Sequence, residues 1–341
     1  MNQEHIRITL SLKEELSVPK QIVITTHQGP DGDAMGASLA LYQFLRKQGH
    51  DVTVITPNDY PEFLQWLPFN SQVVNYMRQK STAEELVEKA GYIFHLDYNH
   101  IKRSADMARL LSRSNAVRVL IDHHLHPALP VLHMISETEV SSTCELLYLM
   151  MKTWDAQLID RDIATCIYTG IMTDTGCFCY RSAEAHTFRI AAELMSYGID
   201  RTGIYDLVYD NYSESRMRLM GYCLNNKMEV FPEYCAALIS LNLEEQERYG
   251  FVVGDSEGFV NLPLSIKGIR FTAFFLEKED KIKISFRSKG NFSVNTFAKN
   301  HFGGGGHLNA SGGDSRNTLE ECVRTFRELL PLYKKELHAE L

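Results

Sequence analysis

The chain has 341 residues, and its hydrophobic content of 44% with a charged content of 23% is typical of a globular protein with a sizeable core. This length favours two domains over one, and the formal net charge of −8 argues against a protein that coats nucleic acid. The amino terminus lacks a signal-peptide pattern, and no apolar run approaches the roughly 20 residues of a membrane helix. Seven cysteines at scattered spacings predict reduced thiols, so we expect a cytoplasmic protein without membrane association.

The first part of the chain alternates strand-like apolar runs with helical patterns, which indicates a parallel sheet with helices on both faces. The predicted strands cover residues 21–26, 51–56, 92–97 and 117–122, and the predicted helices cover 34–48, 83–89 and 102–113. From 141 to about 198 the pattern is helical, and Ser142 followed by Glu145 predicts a capping box at a helix start. Because ligands of parallel sheets bind beyond the carboxyl ends of the strands, functional residues are expected there.

The pattern changes after about residue 210, where strand-like runs dominate. The predicted strands cover 228–231, 235–239, 271–276 and 281–286, and the predicted helices cover 243–248, 294–299 and 318–330. The last helix begins with a second capping box, Thr318 with Glu321. We therefore predict an α/β protein with a parallel-sheet domain at residues 1–195, a helical linker at 196–225 and a smaller α+β domain at 226–341.

Carboxylate and imidazole side chains follow the apolar elements of the first domain at four places. They are His27, Asp31 and Asp33 after the first strand, Asp97 at the end of the third, Asp122, His123 and His124 at the end of the fourth, and Asp174 after an apolar helix at 163–172. Taken singly, each place also fits an ordinary turn or cap, with Asp33 as a helix N-cap for example. Together they are the ligands that hard divalent metals prefer, and they predict a two-metal phosphoesterase.

The three consecutive residues Asp122, His123 and His124 cannot all point the same way, so we expect them to divide their roles. One imidazole would bind metal and the next would face the substrate, while Asp122 would hold an imidazole in the required tautomer. His95 lies two residues before Asp97 on the same strand face, and we interpret it as structural.

The second domain carries two further candidates. Arg287 follows a predicted strand and is suited to bidentate capture of phosphate, although a solvated strand end is an equally good interpretation. Four consecutive glycines at 303–306 precede His307. Such a run suits a place where backbone N–H groups approach a phosphate closely, and a flexible linker is the plainer alternative. The spacing matches neither the dinucleotide-binding fingerprint nor the P-loop.

Taken in order, the ligand motifs of the first domain resemble the successive motifs of the DHH phosphoesterase superfamily. Arg287-Ser288 and the segment from Gly303 to His307 resemble its DHHA1 domain. The order and spacing suit the compact oligoribonuclease and pAp-phosphatase branch, and the resemblance covers nearly the whole chain. It implies an active site in a cleft between the two domains and two bound divalent ions, Mn²⁺ with Mg²⁺ or Co²⁺ as alternatives.

The resemblance also implies a role for each matching residue. One ion would be held by His27, Asp31 and Asp97, and the other by Asp33, Asp97, His123 and Asp174, so that Asp97 bridges them. A water activated by both ions would attack phosphorus, while His124, oriented by Asp122, contacts the scissile phosphate or assists the leaving group. The rest of the substrate would be held by Arg103, Arg287, Ser288, Gly304, Gly305, Gly306 and His307.

The implied function is hydrolysis of short oligonucleotides, such as nanoRNA and linear pApA, to 5′-mononucleotides, and of pAp to AMP. A hydrolase of polyphosphate or pyrophosphate is one alternative, and a nucleotide-binding sensor without turnover is another. The filled ligand positions argue against the sensor, and the lack of a basic channel argues against long nucleic acid. Tyr98 departs from the family's usual Asp-Thr or Asp-Ser and would either stack on a base or pack. The resemblance alone suggests a homodimer.

Overall fold

The computed structural model describes residues 1–180 and 182–339, and it divides into two units, Met1–Asn211 and Tyr212–Leu341. The division falls within the segment 196–225 that the sequence predicts as a linker. Each unit is built on its own six-stranded sheet. In the described ranges, no helix is both long and apolar enough to cross a membrane.

The sheet of the first unit is parallel. Its strands are β1 (Gln21–Thr25), β2 (Asp51–Thr56), β3 (Val74–Asn75), β4 (Tyr92–Leu96), β5 (Val117–Asp122) and β6 (His133–Ser136). Their order across the sheet is β3-β2-β1-β4-β5-β6, and neighbouring strands run parallel. β4 is buried along its whole length, as expected for a strand covered on both faces. The four predicted strands are confirmed, and the short edge strands β3 and β6 are additions that the sequence pattern did not indicate.

Helices cover this sheet and supply much of the core. They are α1 (Gln3–Glu15), α2 (Gly32–Arg46), α3 (Lys80–Lys89), α4 (Met107–Arg113), α5 (Thr143–Asp155), α6 (Arg161–Asp174), α7 (Ala185–Ser196) and α8 (Arg201–Tyr209). Buried side chains such as Leu39 of α2, Leu147 of α5 and Ile167 of α6 belong to one apolar cluster. Helix α2 begins earlier than predicted because Asp31, not Asp33, is its N-cap. The Oδ1 of Asp31 accepts the amides of Asp33 and Ala34, both at 3.1 Å.

The sheet of the second unit is mixed. Its strands are β7 (Met228–Phe231), β8 (Ala236–Leu241), β9 (Phe271–Glu277), β10 (Ile282–Ser288), β11 (Gly305–Gly306) and β12 (Ala310–Ser315). Their order is β11-β12-β10-β9-β8-β7, with β8 and β9 parallel and the other pairs antiparallel. The sequence did not predict β12, since its run Ala-Ser-Gly-Gly-Asp-Ser lacks the β-branched and aromatic residues that favour strands.

The helices of the second unit pack on an aromatic core. They are α9 (Glu214–Tyr222), α10 (Leu243–Arg248), α11 (Val294–Phe302), α12 (Leu319–Leu329) and α13 (Lys334–His338). The rings of Phe297 and Phe326 lie 4.9 and 5.2 Å from that of Phe271 in the sheet. The predicted capping box of Thr318 and Glu321 at the start of α12 is confirmed. Both predicted domain classes are thereby confirmed, a parallel α/β unit followed by a smaller α+β unit.

Candidate metal centre

The order of the strands brings several predicted ligands to one edge of the first sheet. β1, β4 and β5 are adjacent and parallel, so their carboxyl ends lie at the same edge. His27 follows β1, Asp97 follows β4, and His123 follows β5. Side chains from three separate parts of the chain therefore meet where ligands of parallel sheets bind.

Two helices add carboxylates to this edge. Asp33 lies in the first turn of α2, and Asp174 is the last residue of α6. The helices approach closely because Gly170 of α6 has no side chain. A Cβ there would lie 2.2 Å from the Sγ of Cys144 and 3.0 Å from an oxygen of Asp33. The small residue thus allows α2, α5 and α6 to meet at the site.

His27, Asp31 and Asp97 form the first ligand group, in which one ligand atom from each lies within 4.8 Å of the others. The Nε2 of His27 is 3.4 Å from Oδ2 of Asp97 and 3.8 Å from Oδ2 of Asp31. Neighbouring ligands at right angles around an ion at about 2.1 Å are about 3 Å apart, and wider angles give longer separations. These distances therefore suit a shared cation better than direct hydrogen bonds. The Nδ1 of His27 donates to the carbonyl of Gln28 at 2.9 Å, which fixes the ring.

Asp33, His123 and Asp174 form the second ligand group, again with one ligand atom from each within 4.8 Å of the others. The Nε2 of His123 lies 3.8 Å from Oδ2 of Asp33 and 3.6 Å from Oδ2 of Asp174. The same nitrogen lies 3.5 Å from Oδ1 of Asp97. One imidazole nitrogen surrounded by three carboxylate oxygen atoms is a donor set suited to a divalent cation.

Asp97 contributes to both groups through different oxygen atoms, with Oδ2 near His27 and Oδ1 near His123. Its side chain is buried, and its backbone has a positive φ of 64°. This left-handed conformation is uncommon for residues with a side chain, although Asp and Asn tolerate it best. Uncommon backbone conformations of this kind cluster at functional sites, and here one directs a carboxylate between two ligand groups.

The electrostatics of both groups favour cations. Burial, followed by the charges of Asp97 and Asp174, raises the pKa of Asp33 well above its ordinary value of 3.8. Burial opposes protonation of His27, but the carboxylates of Asp31 and Asp97 outweigh it and raise its pKa to about 10. A buried acid whose pKa is raised by neighbouring carboxylates is stabilised in its ionised form by a bound positive charge. The imidazole and carboxylate donors therefore fit divalent ions of the hard or borderline class.

Asp122 and His124 form a separate pair beside the ligand groups. The Nδ1 of His124 donates to Oδ1 of Asp122 at 2.8 Å, and both side chains are buried. The same nitrogen lies 3.7 Å from Oδ1 of Asp97. A buried carboxylate that accepts from one ring nitrogen fixes the orientation of the imidazole and stabilises its protonated form.

Tyr98, the departure from the family pattern, is completely buried. Its ring packs with Leu120 and Leu129, and its hydroxyl is hydrogen bonded to the Nδ1 of His95. Burial lowers the pKa of His95 to about 3, so that ring is neutral near pH 7. A ring without exposed surface cannot stack on a base. The structure therefore shows the packing alternative for Tyr98 and a structural environment for His95.

The N-terminus of α5 also contributes to the site, which the sequence pattern did not indicate. Ser142 is the N-cap as predicted, and the next two residues point their amides at Asp33. The N–H of Thr143 donates to Oδ2 of Asp33 at 2.7 Å, and the N–H of Cys144 donates to Oδ1 at 2.8 Å. The hydroxyl of Thr143 donates to Oδ1 of Asp97 at 2.9 Å. The capping pattern signalled a helix start, but its aim at two acids depends on the tertiary fold.

Arg103 lies in the 3-10 turn Ile101–Ser104 that follows β4. Its carbonyl accepts the amide of Gln28 at 2.7 Å. The backbone of this predicted substrate residue therefore supports the loop that carries His27 and Asp31.

The predicted residues of the second unit lie at one end of its sheet. Arg287 of β10 is in register with Ala310 of β12, whose carbonyl accepts the amide of His307 at 2.7 Å. Arg287 and His307 are thus close to the same backbone position. The hydroxyl of Ser288 is buried and donates to the carbonyl of Phe292 at 2.7 Å, so it stabilises the turn after β10.

The glycine run packs against the protein's own backbone. Gly305 and Gly306 pair with β12, and a Cβ on Gly304 would lie 1.8 Å from the carbonyl oxygen of Gly312. A side chain at position 304 is therefore excluded by the fold itself. At Gly305, by contrast, the nearest atom to a Cβ would be the Oδ1 of Asn295, at 3.6 Å, which is an ordinary contact.

Two amides of this run, and that of the following His307, already have protein acceptors. The N–H of Gly304 donates to the carbonyl of Ala298 at 3.1 Å, and the N–H of Gly306 donates to Oδ1 of Asn295 at 3.2 Å. The amide of His307 is bound by β12, as described above. The expectation that this run presents successive amides to a phosphate therefore differs from what the structure shows at these three positions.

A parallel α/β sheet whose carboxyl edge carries two groups of Asp and His side chains that could hold metal ions is an arrangement suited to phosphoester hydrolysis. The sequence pattern of the DHH family, N-terminal domain, matches residues 21–171, and that of the DHHA1 domain matches residues 240–336. The chain belongs to the DHH family of phosphoesterases and carries a DHHA1 domain in its second unit.

Three proteins are similar to this chain over nearly its whole length and nearly their own. An exopolyphosphatase-related protein from Bacteroides fragilis has 45% identity and a TM-score of 0.93, with 99% of this chain and 98% of that chain covered. The bifunctional oligoribonuclease and PAP phosphatase NrnA of Thermus thermophilus is 29% identical over 98% of this chain and 95% of its own length. The protein of the same name from Bacillus subtilis is 28% identical over 94% of this chain and 97% of its own length.

Proposed function

We propose that this protein is a Mn²⁺-dependent phosphoesterase that hydrolyses short oligonucleotides, such as nanoRNA and linear pApA, to 5′-mononucleotides, and pAp to AMP. The observation that carries the proposal is the sharing of Asp97 between two ligand groups. Its Oδ2 lies 3.4 Å from the Nε2 of His27, and its Oδ1 lies 3.5 Å from the Nε2 of His123. A carboxylate shared by two cation sites would hold two ions close together, and such a pair is suited to catalysing displacement at phosphorus.

The ligands divide between two ions. His27, Asp31 and Asp97 would hold one, and Asp33, Asp97, His123 and Asp174 would hold the other. Mixed imidazole and carboxylate donors suit Mn²⁺, with Mg²⁺ or Co²⁺ as alternatives. When bound, the pair would neutralise charge on the phosphoryl group and lower the pKa of a water between them.

His124 is proposed to handle the proton at the leaving oxygen. Its Nδ1 donates to Asp122 at 2.8 Å, which holds the ring in one orientation. The Nε2 of that ring would then contact the scissile phosphate or donate to the leaving group.

The second unit is proposed to bind the remaining part of the substrate. The Arg287 guanidinium, whose Nη1 donates to the carbonyl of Phe286 at 2.9 Å, would also bind a second phosphate, and His307, near the same end of the sheet, would contact it too. At Gly305 a Cβ would make only ordinary contacts, so packing does not require glycine there, and the small residue would let a nucleotide approach. Ser288, Gly304 and Gly306 would act by shaping this surface, and Arg103 of the first unit would contact the substrate. The names of the Thermus and Bacillus relatives support a nucleotide substrate.

A second candidate is hydrolysis of polyphosphate or pyrophosphate. It is favoured by the Bacteroides fragilis relative, which is described as exopolyphosphatase-related and is 45% identical. A guanidinium and an imidazole at one end of the second sheet also suit an inorganic phosphate chain.

A substrate panel separates these candidates. The full-length protein with Mn²⁺ would be incubated with pApA, pAp, longer RNA, pyrophosphate and polyphosphate, and the products separated by chromatography. We expect AMP from pApA and pAp, slower cleavage of longer RNA, and no orthophosphate from the inorganic chains. Cleavage of inorganic chains alone would establish the second candidate. Bound metal with no product from any compound would instead indicate a nucleotide sensor.

A further inference from the structure

Thr143 contacts two metal-ligand carboxylates at once. It is the first residue of α5 and is fully buried. Its N–H donates to Oδ2 of Asp33 at 2.7 Å, and its hydroxyl donates to Oδ1 of Asp97 at 2.9 Å. A backbone N–H only donates, and the ionised carboxylate of Asp97 only accepts, so the direction of both bonds is fixed.

These bonds restrain the rotation of both carboxylates. The two oxygen atoms of Asp33 are each held by a backbone amide, since Cys144 donates to Oδ1 at 2.8 Å. The Oδ1 of Asp97, which faces His123, is held by the Thr143 hydroxyl. The terminal torsion of an aspartate is otherwise broad, so the hydroxyl selects the orientation that directs one oxygen to each ligand group.

The start of α5 is itself firmly anchored. Ser142 caps the helix by accepting the amide of Glu145 at 3.0 Å. The buried carboxylate of Glu145 accepts the hydroxyls of Ser141 at 2.5 Å and of Thr187 in α7 at 2.8 Å. The Nε2 of His186 lies 2.7 Å from its other oxygen. The N-terminus of α5, which carries Thr143, is therefore fixed to α7 through Glu145, while Thr143 contacts the two acids.

We propose that Thr143 is a positioning residue that sets the relative orientation of Asp33 and Asp97, and with it the affinity of the second cation position. The inference rests on the proposed two-metal function. Outer contacts of this kind typically change metal affinity or activity by about 10- to 100-fold.

The test compares one substitution that keeps the size of the side chain with another that keeps its hydroxyl. Thr143→Val replaces the hydroxyl by a methyl group, and Thr143→Ser retains the hydroxyl on a smaller side chain. Thr9→Val serves as the control, because Thr9 is equally buried in α1 and its hydroxyl donates to the carbonyl of His5 at 2.8 Å. Each full-length protein would be titrated with Mn²⁺, with bound metal counted by elemental analysis and manganese pairs detected by electron paramagnetic resonance.

In Thr143→Val we expect the second Mn²⁺ to bind about 10- to 100-fold more weakly and the exchange-coupled signal of the pair to be lost at limiting metal. The first Mn²⁺ should bind as in the wild type. Thr143→Ser should restore the pair, and Thr9→Val should match the wild type in both measurements. An unchanged second affinity and pair signal in Thr143→Val would overturn the inference.

The proposed function fails in a different way. If the wild-type protein binds a single Mn²⁺ or shows no coupled pair, the two-metal proposal itself is wrong. If the wild type binds a coupled pair and Thr143→Val does the same, the two-metal proposal stands and the role of Thr143 is refuted. Circular dichroism of each variant would show that the comparison is made on folded protein.

Discussion

The candidate residues of the two units are supported in opposite ways. In the first unit the functional atoms belong to side chains, and backbone amides of α5 support them by donating to Asp33. In the second unit the glycine run can offer only backbone atoms. Two of its amides already donate to protein oxygen atoms, of Ala298 and Asn295. A run of ligand residues therefore points to a site directly. A run of glycines points only to a close backbone approach, and here that approach is to the protein itself.

Asp97→Asn should have the largest effect, because it alters the residue common to both ligand groups. The side chain keeps its shape, and Asn tolerates the positive φ of 64°, so the fold should be retained. We expect kcat for pApA to fall by on the order of 1000-fold or more, with loss of at least one bound Mn²⁺.

Asp51→Asn is the matched control for that change, since Asp51 is an exposed aspartate of the same sheet. Its turnover and metal content should equal those of the wild type. Near-normal turnover in Asp97→Asn would refute the bridging role and remove the main contrast between the two units.

Metal binding should stabilise the first unit selectively. An ion that binds only the folded state at about 100 times its Kd adds about 2.7 kcal/mol to the free energy of unfolding. Hydrogen exchange with and without Mn²⁺ should show greater protection in α2 and α5, which carry or support the ligands, and little change in β9 and β10. Equal protection of both sheets would contradict the assignment of the ions to the first unit.

Gly304→Ala and Gly305→Ala should separate the packing role of the glycine run from a substrate role. A Cβ at 304 meets the Gly312 carbonyl at 1.8 Å, so this variant should lose about 1–3 kcal/mol of stability or more. A Cβ at 305 has its nearest neighbour at 3.6 Å, so this variant should fold normally. Thermal unfolding measures the difference, and similar melting temperatures would show that the run is not required by packing.

Arg287→Ala should have the smallest effect, confined to substrate binding. We expect KM for pApA to rise roughly tenfold as a charge-assisted contact is lost, with bound metal unchanged. Lys283→Ala removes an exposed positive charge from the same strand and is the control. Equal effects of the two variants would show that Arg287 contributes only general electrostatic attraction and no specific contact with the substrate.

The strands of the first sheet could be predicted because they are continuous apolar runs, as in the fully buried β4. β12 could not be, because its run Ala-Ser-Gly-Gly-Asp-Ser lacks strand-favouring residues and is a strand through its pairing with β10 and β11. The N-cap of α2 was also misplaced. Asp31 and Asp33 are the same residue type and both favour N-cap positions. Only the backbone conformation of the turn decides which carboxylate accepts the amides at the start of α2.

The candidate ligands were accessible from sequence because each follows an apolar element, and the strand order then brings them together. Thr143 was not accessible, because a threonine after a serine cap has no special meaning until Asp97 is beside it. Tyr98 shows the same limit. The sequence left stacking and packing open, and burial beside His95 favours packing.

The ligand groups also differ in when they can assemble during protein synthesis. His27 and Asp31 lie four residues apart in the sequence, and Asp31 already caps α2 through its other oxygen, so this pair can form before Asp97, which follows β4, completes the first group. The second group joins Asp33 at the start of α2 to Asp174 at the end of α6, across most of the first unit. Closing that long loop comes late and at a larger entropic cost. Acquisition of the second ion would then require that the chain from α2 to α6 has folded.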